Sequence, residues 1–122
     1  MMKQVLLVGL GGAIGSIFRY VTSLITTKYY ANAFPLATLI TNVVGCFLIG
    51  LLIGYFANSN TDNNLKLLFI TGFCGGFTTF SAFAAENIVL FQNQNYFTLI
   101  VYTLASVIIG FLAVGLGLIV SR

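Results

Sequence analysis

The chain has 122 residues, of which 59% are hydrophobic and only 6% are charged, and its mean hydropathy is +1.05. A soluble domain carries about 25% charged residues, so this composition excludes a soluble enzyme, and five scattered basic side chains exclude a nucleic-acid-binding surface. The absence of histidine from the sequence excludes Ser-His-Asp triads and histidine metal sites. We therefore expect an integral membrane protein in contact with the lipid bilayer.

Four segments are long and apolar enough to cross a bilayer as helices, which requires about 20 residues each. They cover residues 5–26, 34–56, 65–91 and 96–120, and short polar connections at 27–32, 58–64 and 92–95 join them. Because nearly every residue lies in a span or a turn, the sequence predicts an all-α membrane protein with one transmembrane domain, residues 1–122. No separate domain is left to hold a catalytic site.

The distribution of basic residues barely favours one orientation of the chain in the membrane. Cytoplasmic loops normally carry the excess of Lys and Arg. With four spans, Lys3, Lys66 and Arg122 share one side of the membrane, and Arg19 and Lys28 lie on the other. Two interpretations stay open: a weak but fixed orientation, or insertion in both orientations with antiparallel pairing about a two-fold axis in the membrane plane.

Small residues recur in the spans at spacings that let helices approach closely in lipid. They predict a tightly packed bundle, but they indicate no substrate. The set comprises Gly9, Gly11, Gly12 and Gly15 in the first span, Gly50 and Gly54 in the second, and Gly110, Gly115 and Gly117 in the fourth.

Polar residues inside the second and fourth spans fall on single helical faces. Thr38 and Asn42 are four residues apart, and Thr98, Tyr102 and Ser106 repeat the same spacing. Buried polar groups are costly in a membrane unless they are paired or line water. The stripes are typical either of hydrogen bonds between helices or of a polar track along a narrow pore.

The third span contains a poor helix interior. Gly75 and Gly76 are followed by Thr78 and Thr79, and both residue types disfavour the middle of a helix. The pattern predicts a helix break near mid-membrane, where irregular backbone must be buried in protein or line a cavity. Such a break is either a kink for packing or a source of carbonyl groups, and in two antiparallel copies those carbonyls would enclose one small cation.

After the predicted break, phenylalanines recur every three residues. Phe77, Phe80 and Phe83 are typical of a core or lipid-facing stripe, but the positive edges of aromatic rings also bind small anions. Glu86 is the only acidic residue within a span, because Asp62 lies in a connection.

Three motifs give the whole chain a resemblance to the CrcB/Fluc family of fluoride ion channels. They are GAIGSIFRY at 12–20, TLITNVVG at 38–45 and GFCGGFTTFS at 72–81. The resemblance implies an antiparallel, dual-topology homodimer in the bacterial inner membrane, with two pores that let cytosolic fluoride leave passively. It implies no enzymatic activity.

The resemblance also implies roles for individual residues. The backbone carbonyls of Gly75 and Thr78 would hold a structural Na⁺ at the dimer centre, and Arg19 and Glu86 would lie in a vestibule or near a pore end. The implied fluoride pore comprises Phe80, Phe83, Asn42, Thr38, Ser81, Tyr102 and Ser106.

Two rival functions stay open at this point. A small proton-coupled multidrug or cation exporter also has four spans, but it needs a titratable group in the membrane, and Glu86 is the only candidate. A non-transporting scaffold subunit would need no break in the third span. A membrane-embedded enzyme is disfavoured, because the chain offers no nucleophile–base pair.

Overall fold

The computed structural model describes residues 1–57, 59–60 and 62–122, and the regular elements in this part of the chain are all helical. Positions 58 and 61 of the predicted second connection lie outside the described residues. Helices α1 (Met2–Tyr29) and α2 (Leu36–Ala57) form the first two spans. The third span consists of α3 (63–77) and α4 (Phe80–Gln92), and α5 (Tyr96–Ser121) is the fourth.

Within the described residues, four helical stretches are long and apolar enough to cross a membrane, with α3 and α4 counted together as Asn63–Gln92. The prediction of an all-α, four-span fold is confirmed. Large apolar side chains such as Ile17, Phe97 and Phe111 are 61%, 80% and 78% exposed. Exposed apolar surface of this extent fits lipid rather than water, and helices satisfy their own backbone groups there.

Helix α3 changes its hydrogen-bonding pattern along its length. It begins with an α-helical turn (Asn63–Lys66), continues as a π-helix (Leu67–Cys74) and ends with a second α-helical turn (Gly75–Phe77). The carboxylate of Asp62 caps its first turn by accepting the Asn64 N–H at 3.2 Å. The sequence patterns did not predict the π-helical segment, a rare conformation that is frequently found at functional sites.

The third span is broken near its middle, as expected. Thr78 (φ −91°, ψ 158°) and Thr79 (φ −152°, ψ 125°) are extended, whereas Gly75 is still helical (φ −63°, ψ −36°). The break therefore falls at the threonine pair and not at the glycine pair. One reason is local, because the Thr79 hydroxyl accepts the Ala82 N–H at 3.2 Å and so caps the start of α4.

Two pairs of helices make the most extensive contacts: α1 packs along α3, and α2 packs along α5. In the first pair, a Cβ on Gly11 would overlap the Leu68 carbonyl oxygen. In the second pair, a Cβ on Gly50 would overlap the Val114 carbonyl oxygen, and one on Gly117 would overlap that of Phe47. Backbones approach this closely only where a side chain is missing on one partner.

The glycine pattern predicted these contacts at most of its positions. Close packing is confirmed at Gly11, Gly15, Gly50, Gly54 and Gly117, where an added Cβ would overlap a neighbouring atom. At Gly12 and Gly110 an added Cβ would make only ordinary contacts, and at Gly9 and Gly115 it would meet nothing within 4 Å in this chain.

Candidate functional site

The break in the third span is held by a side chain from α2. The Thr79 N–H donates to Asn42 Oδ1 at 2.8 Å, and Asn42 Nδ2 donates to the Thr79 carbonyl at 3.1 Å. The amide of Asn42 thus pairs with an extended backbone segment as a neighbouring strand would. An asparagine amide has an acceptor and two donor hydrogens, so one hydrogen of Asn42 remains after this pairing.

This pairing changes which carbonyl groups are available at the break. In a continuous helix the Thr79 N–H would donate to the Gly75 carbonyl, and the Ala82 N–H would donate to that of Thr78. Here Asn42 Oδ1 takes the first hydrogen and Thr79 Oγ1 takes the second. The carbonyls of Gly75 and Thr78 therefore lack the partners that a helix would give them.

Helix α1 contributes a charge to the same break. Arg19 Nε donates to the Gly76 carbonyl at 3.1 Å, in the last turn of α3. A cation at the carboxyl end of a helix is stabilised by the helix dipole, by about 0.3–2 kcal/mol depending on exposure. Arg19 thus acts as a cap for the first half of the third span.

Beside the break lies a cleft of about 590 Å³, formed by α2, α3, α4 and α5. Polar groups in its walls are hydroxyls, one amide, two thiols and backbone groups, and no Lys or Arg is among the described residues that line it. The walls of the cleft comprise Asn42, Gly45, Cys46, Ile49, Ile70, Thr71, Cys74, Gly75, Thr78, Thr79, Phe80, Phe83, Ser106, Val107, Gly110, Phe111 and Val114.

Aromatic side chains connect the cleft with the interior of the bundle. Phe80 is 78% exposed and lies on the open side of the cleft. Its ring centroid is 5.8 Å from that of Phe83, which in turn is 5.1 Å from that of the fully buried Tyr102. The Phe83 ring therefore contacts both Phe80 and Tyr102.

Two buried polar atoms in the described part of the chain have no hydrogen-bond partner. They are Ser106 Oγ, in the wall of the cleft, and Asn87 Oδ1 on α4. Such groups are uncommon in folded proteins, and each calls for an explanation, such as a bound water or ion. The sequence stripe drew attention to Ser106, whereas no pattern indicated Asn87.

A second cavity of about 360 Å³, here called the vestibule, also borders the break. Thr79 lines both the vestibule and the cleft, so both cavities adjoin the extended segment. The lining of the vestibule comprises Ser16, Arg19, Tyr20, Ser23, Ala37, Thr38, Thr41, Thr79, Ala82 and Glu86.

The carboxylate of Glu86 is bonded to two hydroxyl groups. Thr38 Oγ1 donates to Glu86 Oε2 at 2.7 Å, and Tyr102 Oη donates to Glu86 Oε1 at 2.8 Å. Both donors are buried, with exposures of 9% for Thr38 and 0% for Tyr102. The two hydroxyls come from α2 and α5, so Glu86 on α4 connects three helices.

The structure distributes the residues of the sequence-based hypothesis between these two cavities. Residues that line the cleft are Asn42, Gly75, Thr78, Phe80, Phe83 and Ser106, and residues that line the vestibule are Thr38, Arg19 and Glu86. Tyr102 joins the groups through its contacts with Phe83 and Glu86. Ser81 is exposed near the break, with its Oγ 3.1 Å from Thr79 Oγ1.

Sequence reasoning missed how the break is built. It identified Asn42 and Arg19 as site residues, but not their hydrogen bonds to Thr79 and Gly76. It also missed Thr79 as a helix cap, although a threonine just before a new helix is a usual cap signal.

These features define a multi-pass helical membrane protein, consistent with a bacterial inner membrane, whose third span is broken where two cavities adjoin it. Residues 6–118 match the family described as "CrcB-like protein, Camphor Resistance (CrcB)". The chain belongs to this CrcB family.

Curated relatives agree with this assignment over the full length of the chain. A protein of Azobacteroides pseudotrichonymphae is 49% identical over 100% of this chain and 98% of its own length. A protein of Flavobacterium psychrophilum is 45% identical over 99% and 98%, and one of Ignicoccus hospitalis is 45% identical over 95% and 93%. All three are named "Fluoride-specific ion channel FluC".

Proposed function

We propose that this protein is a fluoride-selective channel that conducts fluoride passively out of the cytosol. The observation that carries the proposal is the cleft beside the break, which has an amide, hydroxyls and phenyl rings in its walls. Full-length relatives named as fluoride-specific channels support it independently. No chemical step is required, so the protein is a transporter and not an enzyme.

The chemistry of these walls suits a small, strongly hydrated anion. A selective pore must replace the water around fluoride with donors of matching size, and it must hold the ion weakly enough for exit. A fixed Lys or Arg in the narrow region would bind fluoride too tightly. The described cleft residues offer neutral donors instead, including the second amide hydrogen of Asn42 and the unpartnered hydroxyl of Ser106.

We assign the ring edges of Phe80 and Phe83 to the conduction path. Aromatic rings carry a positive edge, which attracts an anion without a formal charge. Both rings line the cleft at a centroid separation of 5.8 Å. Thr38, Ser81 and Tyr102 would supply hydroxyl donors beyond them.

We further propose that a second, antiparallel copy of the chain closes the cleft. Thr71, Gly75 and Phe80 line the cleft and are exposed in a single chain, which leaves an incomplete wall where an ion path needs a closed one. Lys and Arg counts that do not favour one orientation support dual topology. The homodimer would have an isologous interface and two equivalent pores.

A structural Na⁺ at the two-fold axis would fit the carbonyl groups of Gly75 and Thr78. Both carbonyls lack their helical partners, because Asn42 and Thr79 take the amide hydrogens that a helix would supply. Two copies would contribute four neutral oxygens, and hard cations prefer oxygen ligands. The ion would join the two broken spans and fix the distance between the pores.

The proposal is tested with purified protein in liposomes loaded with either fluoride or chloride. We expect release of fluoride, measured with a fluoride electrode, and no comparable release of chloride. Replacing Phe80 or Phe83 with leucine should lower the fluoride flux while the dimer still forms. Unchanged flux in both variants would reject the assigned role of the rings, and equal release of both anions would reject the selective channel.

A proton-coupled exporter is the second candidate, because Glu86 is an acidic residue within a span. Its prediction is different: transport would require a pH gradient and would carry a cation or drug. Fluoride release that is independent of a pH gradient separates the channel from the exporter.

A further inference from the structure

The two hydroxyls that bind Glu86 are the ones that the channel proposal gives to fluoride. We propose that Thr38 and Tyr102 form an anion site and that the Glu86 carboxylate is a tethered competitor for it. Fluoride must displace the carboxylate in order to bind. This inference rests on the proposed channel function, to which it adds a competitor that belongs to the chain itself.

The geometry supports anion binding at this pair. The two oxygen–oxygen distances of 2.7 and 2.8 Å are those of well-formed O–H···O hydrogen bonds, so both hydroxyl hydrogens are directed at the carboxylate. Each carboxylate oxygen accepts one hydroxyl hydrogen, and each hydroxyl has only one hydrogen to donate. A second anion therefore has no free hydrogen at Thr38 or Tyr102 while Glu86 is bound.

The hydroxyl of Tyr102 cannot easily turn away to serve both anions. Its ring is fully buried, and it contacts the rings of Phe34 and Phe83 at centroid distances of 5.5 and 5.1 Å. Because the Tyr102 hydroxyl is fixed, its hydrogen-bond partner must be the group that moves. That partner is Glu86, whose side chain has three rotatable bonds and lines the vestibule.

The vestibule also offers a place for the displaced carboxylate. Arg19 lines the same cavity and uses its Nε hydrogen on the Gly76 carbonyl. A guanidinium has five N–H donors, so four remain for a carboxylate that leaves Thr38 and Tyr102. The competitor raises selectivity, because only an anion that binds hydroxyl hydrogens strongly removes it, and fluoride does so better than chloride.

The test measures initial fluoride efflux from liposomes over a range of internal fluoride concentrations. In Glu86→Gln the neutral amide is a weaker competitor, because charged acceptors form hydrogen bonds about twice as strong as neutral ones. We expect the half-saturating fluoride concentration to fall about tenfold, and we expect chloride release to rise. Asp62→Asn is the matched control, since it neutralises the only other acidic residue, outside the spans, and should change neither value.

A second variant separates competition from simple charge repulsion. Glu86→Asp keeps the negative charge but shortens the side chain by one bond of about 1.5 Å, so its carboxylate cannot hold both hydroxyls. Competition predicts a lower half-saturating concentration, as in Glu86→Gln, whereas repulsion alone predicts the wild-type value. Calorimetric titration of the detergent-solubilised variants with sodium fluoride gives the same comparison without transport.

The outcomes distinguish this inference from the channel proposal. Wild-type liposomes that release no fluoride would overturn the proposed function. Wild-type conduction with unchanged half-saturation and unchanged fluoride binding in both Glu86 variants would overturn the competitor while the channel proposal stands. A wild-type value in Glu86→Asp together with a lowered value in Glu86→Gln would also overturn it.

Discussion

The close contact between α1 and α3 yields a sharp prediction, because Gly9 and Gly11 lie on the same helix but have different neighbouring atoms. A Cβ on Gly11 would overlap the carbonyl oxygen of Leu68 and lie 2.8 Å from the Phe73 nitrogen. A Cβ on Gly9 would meet nothing within 4 Å. We therefore expect Gly11→Ala to force α1 and α3 apart, whereas Gly9→Ala should leave their contact unchanged.

The expected magnitudes follow from general values. Alanine is about 1 kcal/mol more favourable than glycine inside a helix, so Gly9→Ala should stabilise the protein by up to that amount. Overpacking against the backbone costs about 1–3 kcal/mol, which outweighs the helix gain at Gly11. Because both variants gain the helix propensity of alanine, their free energies of unfolding should differ by the overpacking cost, about 1–3 kcal/mol.

The assay is reversible unfolding in mixed micelles with increasing dodecyl sulfate, followed by circular dichroism at a helical wavelength. Wild type, Gly9→Ala and Gly11→Ala are compared at equal protein concentration. Because α3 carries the Gly76 carbonyl that accepts Arg19, Gly11→Ala should also slow fluoride efflux. Equal stability of the two variants would refute the packing that this account gives to α1 and α3.

Three further variants test the break and its neighbours. Asn42→Ala removes both hydrogen bonds to Thr79, worth about 1 kcal/mol each, and thermal melts should show a smaller stabilisation by Na⁺ than in wild type. Arg19→Gln removes the charge at the end of α3 and should slow efflux, with partial recovery in Arg19→Lys; equal rates would contradict the capping role. Gly45→Ala places a Cβ over the Thr78 methyl group, so efflux should fall, and a wild-type rate would contradict the contact.

Hydropathy alone predicted the four spans, because a bilayer requires about 20 apolar residues per helix and short polar connections separate the segments. The composition of the third span predicted the break, since glycine and threonine disfavour a helix interior. The pattern covered both the glycine pair and the threonine pair, and the structure places the break at Thr78 and Thr79 partly for a tertiary reason. Asn42, which is 37 residues away from Thr79, pairs with that backbone.

Other parts of the site depend on contacts that no local pattern contains. Arg19 and Gly76 are 57 residues apart, and Thr38 and Glu86 are 48 residues apart. Each hydrogen bond forms only after the helices have packed, so residue types and spacing predicted the participants but not the partners. The antiparallel homodimer and its Na⁺ stay predictions of the sequence and of the proposed function.

The most direct test of passive fluoride conduction is an efflux measurement under electrical control. Liposomes with purified protein are loaded with potassium fluoride and diluted into a fluoride-free buffer with a fluoride electrode. A channel builds up a membrane potential that stops efflux until valinomycin lets potassium follow, so we predict fast fluoride release only after valinomycin is added. Rapid release before valinomycin, or none after it, would contradict the account.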